Sequence, residues 1–103
     1  MPPTPLTEAD LEAALGRLPG WTVKEGELTA SYRADRARVP AFYAAVATAE
    51  DEADHHARIT VLYGTVDLAL TTHSAGGAIT EKDTALAARI SALAATHHAE
   101  PTD

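Results

Sequence analysis

The segment Asp51-Glu-Ala-Asp-His-His56 and, one hairpin further on, Thr71-Thr-His73 bring three imidazoles and several carboxylates into a short stretch of chain. Imidazole has an unperturbed pKa of roughly 6.5, so it gives or takes a proton near neutral pH. A carboxylate beside it favours the protonated ring and keeps it a competent acid. His55, His56 and His73, tuned by Asp51 and Asp54, therefore read as an acid/base site. Singly, the same residues have plainer meanings: a histidine pair in a last helical turn complements the helix dipole, and His73 is an exposed strand end. Three histidines with carboxylates could also hold zinc or iron. Against this, adjacent residues leaving a helix diverge, and a spacing such as His-Glu-x-x-His is absent. Asp83, three residues after Thr80, can complete a helix cap. Trp21 follows a Pro-Gly turn and reads as core packing, and His97 and His98 receive no role.

The elements that must position these residues follow from periodicity. Thr7 can cap a first helix carrying Leu11, Leu15 and Leu18, ended by Pro19-Gly20. Trp21 and Val23, then Leu28, Ala30 and Tyr32, alternate on either side of Glu25-Gly26 as two strands of a hairpin. From about Arg38 to Asp54, Phe42, Ala45, Val46, Ala49 and Ala53 recur at helical steps behind Pro40, which predicts a second helix ending near His55. Ile59, Val61 and Tyr63 alternate up to a turn at Gly64-Thr65. Val66, Leu68, Leu70 and Thr72 continue on the far side, with His73 on the opposite, polar face. After the Ser74–Gly77 loop, Thr80 can cap a third helix with an inner stripe of Leu86, Ala87, Ile90, Leu93 and Ala94, and the tail from Thr96 is expected to fray. The order α-β-β-α-β-β-α predicts an α+β fold, a four-stranded antiparallel sheet with three helices packed on one face.

Composition narrows the function classes. A chain of 103 residues, 46% hydrophobic and 22% charged, fits one globular domain over 1–103. Much of the apolar content is alanine, with one Phe, one Trp and one Met, so the core is thin and association is expected to add stability. A net charge of −7 without a Lys/Arg patch argues against direct nucleic acid binding. The absence of cysteine excludes disulfides, thiolate nucleophiles and Cys-based metal sites, and makes the cytoplasm the default location. Met1-Pro-Pro-Thr-Pro-Leu6 has no leader pattern, and no apolar run would span a membrane. The expectation is a soluble chain, unprocessed apart from loss of Met1.

From Leu6 to about Leu93 the chain resembles the pterin-4a-carbinolamine dehydratases, also called 4a-hydroxytetrahydrobiopterin dehydratases. That family's pattern is an acidic residue, three residues, His-His, usually Pro, an aromatic in the third strand, Thr-His at the end of the fourth, and an Asp opening the last helix. Here these are Asp51, His55-His56, Tyr63, Thr72-His73 and Asp83, with Leu18-Pro-Gly-Trp21, Gly76-Gly77 and Thr80-Glu-Lys-Asp83 also in register. Ala57 stands where the family usually has Pro. Lys82 stands where some members have Arg, which keeps the charge without the planar fork.

The resemblance implies elimination of water from a 4a-hydroxytetrahydropterin to give a quinonoid dihydropterin in tetrahydrobiopterin recycling, with neither metal nor organic cofactor. It implies that His55 and His73 are the acids meeting the hydroxyl on the two faces of the ring, while His56 holds the pterin and stabilises the transition state. Asp51 and Asp54 would orient that set, with Trp21, Lys82 and Asp83 near the site. It also implies at least a homodimer, and in some members a tetramer. The alternative is a non-catalytic dimerisation, assembly or coactivator module of the same fold.

Overall fold

The computed structural model describes residues 3–102, and the expected loss of Met1 lies outside them. Thr7 caps helix α1, Glu8–Leu15, by accepting the Asp10 N–H at 3.1 Å. The helix stops at Leu15, and Leu18 reaches the core from the turn that follows. Strands β1, Thr22–Lys24, and β2, Glu27–Arg33, are joined by Glu25 and Gly26, both with positive φ (52° and 78°), the geometry that suits strand twist in a two-residue hairpin. A 3-10 turn at Arg36–Arg38 leads into α2, Val39–Ala53, with Pro40 in its first turn.

Strands β3, Arg58–Leu62, and β4, Thr65–Leu70, follow. Their turn is Tyr63-Gly64, one residue earlier than alternation suggested. Tyr63 takes φ 52°, and a Cβ on Gly64 would stand 2.5 Å from the Ala34 carbonyl oxygen. Because β4 ends at Leu70, His73 is not a strand residue: it begins a 3-10 turn, His73–Ala75. Helix α3, Glu81–Thr96, is the last helix.

The sheet has five strands rather than four. All pair antiparallel in the order β1-β2-β4-β3, and β5, Glu100–Pro101, lies along the end of β2, pairing Arg33 with Glu100. The tail is therefore fastened instead of frayed. His98 turns left-handed (φ 57°), the Ala99 N–H returns to the Ala94 carbonyl at 2.8 Å, and the Thr102 N–H reaches Ser31 O at 2.8 Å. Two residues containing a proline offer no alternation to detect, and proline is tolerated at a sheet edge.

One face of the sheet is apolar. Leu28, Ala30 and Tyr32 of β2 and Val66, Leu68 and Leu70 of β4 are buried with Phe42, Val46 and Ala49 of α2 and Leu86, Ala87, Ile90 and Ala94 of α3. Full burial of each larger aliphatic or aromatic chain is worth about 1.5–3 kcal/mol. Trp21, just before β1, gives its indole N–H to the Tyr32 hydroxyl at 2.9 Å and meets that ring edge-on. Arg58 pairs with Ala69, so the residues before β3 run beside those leaving β4, and the segment of His55-His56 lies near the segment of Thr72-His73.

Candidate active site

The histidine pair leaves α2 through a left-handed residue. Asp54 takes φ 50° and ψ 45°, its N–H bonds Asp51 O at 3.3 Å, and the His55 N–H bonds Glu50 O at 3.1 Å. These paired bonds form a Schellman ending, usually made with glycine; aspartate is among the few other residues that visit αL readily. The chain is thereby turned sharply out of the helix, and the two imidazoles leave in different directions.

His55 points inward. Its Nε2 lies 2.5 Å from Asp83 Oδ1, with 10% of the imidazole and none of the carboxylate exposed. A carboxylate sealed from water must be hydrogen-bonded to be tolerable, and every lone-pair direction used here has a donor. Asp83 Oδ2 accepts the Thr72 hydroxyl at 2.7 Å and the Thr80 N–H at 2.8 Å. Thr80 and Thr72 share a further 2.7 Å hydroxyl contact, and Thr80 Oγ1 accepts the Lys82 N–H at 3.2 Å. Asp83 is thus the capping-box acid of α3 and at the same time the partner of His55. Since a carboxylate only accepts, Nε2 carries the proton, and Nδ1 is the ring nitrogen left for other chemistry.

His56 points outward. Its Nε2 is 3.0 Å from Asp51 Oδ1, with 57% of the imidazole exposed. The hydrogen bond to Asp51 raises its pKa above the ordinary 6.5, aided by the nearby charges of Glu50 and Asp54. The protonated ring is therefore more favoured here than in a free imidazole.

His73 is exposed, at the start of a turn whose end is closed by the Gly76 N–H on the His73 carbonyl at 3.0 Å. It sits next to Thr72, so Asp83 ties the segment carrying His73 to the one carrying His55. Asp54 serves here through its backbone conformation. Lys82 is exposed in the first turn of α3 and lines a cleft of about 560 Å³ with Pro5, Leu6, Asp10 and Thr80, a cleft that no histidine lines. Trp21 is 3% exposed and packs in the core. Among the described residues, no three His, Cys, Asp or Glu converge where a metal ion could sit.

One residue escaped the sequence reading. Glu50 is buried, and its Oε2 accepts the Ala57 N–H at 2.6 Å, whereas Ala53, expected on the inner stripe, is exposed. The signal was present, since Phe42, Val46 and Glu50 are spaced four apart on one helix face.

Comparison with known proteins shows the following similarities. The family model described as "Pterin 4 alpha carbinolamine dehydratase" matches residues 4–93. A protein of Streptomyces coelicolor provisionally named pterin-4-alpha-carbinolamine dehydratase is 48% identical over 96% of this chain and 99% of its own. A Streptomyces avermitilis protein of the same provisional name is 41% identical over the same shares. Among solved structures, a "transcriptional coactivator/pterin dehydratase" from Brucella melitensis superposes with a TM-score of 0.83 at 32% identity, covering 88% of this chain and 99% of that one. A "pterin dehydratase-like protein" described as a RuBisCO assembly factor in the alpha-carboxysome gives 0.60 at 26% identity, covering 72% and 86%.

Proposed function

The chain belongs to the pterin 4 alpha carbinolamine dehydratase family, and from that premise we propose that it removes water from 4a-hydroxytetrahydrobiopterin in tetrahydrobiopterin recycling. In this reaction the C4a–O bond breaks, the hydroxyl leaves as water after gaining a proton, and N5 loses its proton as its electron pair forms the C4a=N5 bond. Positioned imidazoles supply such transfers, each worth roughly 10²–10⁴-fold. His55 and His73 act as acids and bases on the two faces of the ring. His56, beside Asp51, holds the pterin and stabilises the transition state. Asp83 orients His55, Asp51 and Asp54 arrange the pair, and Lys82 stands at the margin of the site.

The observation that carries this reading is the His55–Asp83 contact, in which a sealed carboxylate fixes an imidazole whose second nitrogen makes no hydrogen bond among the described residues. A fold used only as a scaffold has no need of that polar investment. The reading includes a cytoplasmic protein acting as a homodimer or tetramer. Supporting association, edge strand β3 and its turn leave Val61, Leu62 and Tyr63 exposed, the last two at 75%. The likeness to the RuBisCO assembly factor supports a second reading, a non-catalytic assembly module.

The deciding experiment follows decay of enzymatically generated 4a-hydroxytetrahydrobiopterin by ultraviolet absorbance, with the purified protein beside a His55→Ala/His56→Ala variant. Acceleration by the wild type that the variant loses is the expected result. A folded wild type that does not accelerate decay transfers the assignment to the assembly reading.

A further inference from the structure

Of the two buried carboxylates among the described residues, Asp83 belongs to the site and Glu50 has no part in the proton transfers. Glu50 lies one turn before the end of α2 and makes two bonds to the segment that follows. Its carbonyl accepts the His55 N–H at 3.1 Å, and its side-chain Oε2 accepts the Ala57 N–H at 2.6 Å. One residue therefore holds the amides on both sides of His56. Ala57 precedes the first paired residue of β3, so the sheet supplies no ladder bond to its N–H. A short bond to a carboxylate is the stronger, charge-assisted kind, and its burial shields it from competing water.

We propose that Glu50 is a positioning residue for the dehydration, clamping the His55-His56-Ala57 backbone so that His55 meets Asp83 while His56 faces outward. A proline at 57 would restrict the same segment by fixing φ and would bring no N–H needing an acceptor. This chain, with Ala57, relies on a hydrogen bond instead. Positions 50 and 57 form one device, and the effect of changing either depends on the other.

The inference rests on the dehydratase reading, and its test includes measurements independent of turnover. Glu50→Ala and Glu50→Gln are compared by amide exchange at Ala57, and these two together with Glu50→Ala/Ala57→Pro by the NMR signal of the His55 Nε2 proton and by kcat and KM for dehydration. In Glu50→Ala, Ala57 exchange speeds up about tenfold or more, the downfield His55 proton weakens, and kcat falls about tenfold or more. Glu50→Gln, which keeps an acceptor oxygen, and the double variant, which no longer needs one, return kcat toward the wild type. Should Glu50→Ala fail to fold, these two variants carry the comparison: each is expected to show the wild-type His55 signal, and a lost signal in both overturns the clamp. Wild-type exchange and kcat in Glu50→Ala also overturn it. A wild type that does not dehydrate the pterin refutes the dehydratase reading, while the exchange and His55 signals still decide whether the clamp exists.

Discussion

His55 Nε2 and Asp83 Oδ1 stand 2.5 Å apart across 28 residues of sequence, joining the end of one helix to the start of another. The same carboxylate closes the capping box of α3 and takes the Thr72 hydroxyl, so it is shared between folding and chemistry. This double use sets the expected result of changing it.

Asp83→Asn keeps the shape of the side chain but replaces one acceptor with a donor. At least one of the three donors from His55, Thr72 and Thr80 then loses its acceptor in a buried place, which costs about 1–3 kcal/mol. Dehydration falls about 10²-fold because His55 loses its orientation and charge partner. Chemical unfolding and the pterin decay assay measure the two effects separately, and a variant with wild-type turnover contradicts the role.

Asp51→Asn removes the main cause of the elevated His56 pKa, so an NMR titration of the His56 ring should move down toward 6.5. The linkage has a definite sign. A raised folded-state value stabilises the protein fully below the unfolded value near 6.5, and that contribution is lost as pH rises through the folded value. The pair is exposed and screened, so the effect on stability is small and salt-dependent. An unchanged titration in the variant would mean that Asp51 does not perturb the ring.

His73→Ala separates chemistry from packing. The side chain is exposed, so unfolding free energy should stay within about 0.5 kcal/mol of the wild type. Dehydration should nevertheless fall about 10²–10⁴-fold if the ring transfers a proton. Stopped-flow absorbance on the folded variant measures this, and full activity would remove His73 from the mechanism.

Trp21→Phe tests a residue whose sequence context matched the site but whose side chain lies in the core. It loses the hydrogen bond to Tyr32 and part of the edge-on contact with that ring. The expected cost is about 1–3 kcal/mol of stability, with KM for the pterin unchanged. A raised KM in a folded variant would place the indole at the substrate after all.

The fold was legible where its causes are local. Thr7 and Thr80 announce their helices, and the alternation of Leu28, Ala30 and Tyr32 against Val66, Leu68 and Leu70 gives two strands and their inner face. The site was legible only in its cluster of residue types and its family resemblance. Nothing in local spacing joins His55 to Asp83, because that contact depends on the β3–β4 register and on how α3 returns. Glu50 was hidden because a charged residue on an apolar stripe looks like its outer boundary, and its partner is a backbone amide with no side-chain signature. The turn at Tyr63 was displaced because its positive φ falls on a residue that rarely takes one. Strand β5 is too short for any pattern.

The central β2–β4 ladder, which pairs Leu28 with Leu70 and Tyr32 with Val66, has a kinetic consequence. Each flanking hairpin can zip from its own tight turn, but this ladder must close a long loop that contains all of α2, at a cost in chain entropy before its contacts form. Docking of the two preformed hairpins is then the slow step of folding. The histidine-bearing segments flank the β3–β4 hairpin and meet as it zips, whereas the Asp83 that orients His55 arrives only with α3, so during refolding the capacity for proton transfer should emerge with the docking of that helix and lag behind the recovery of helix signal.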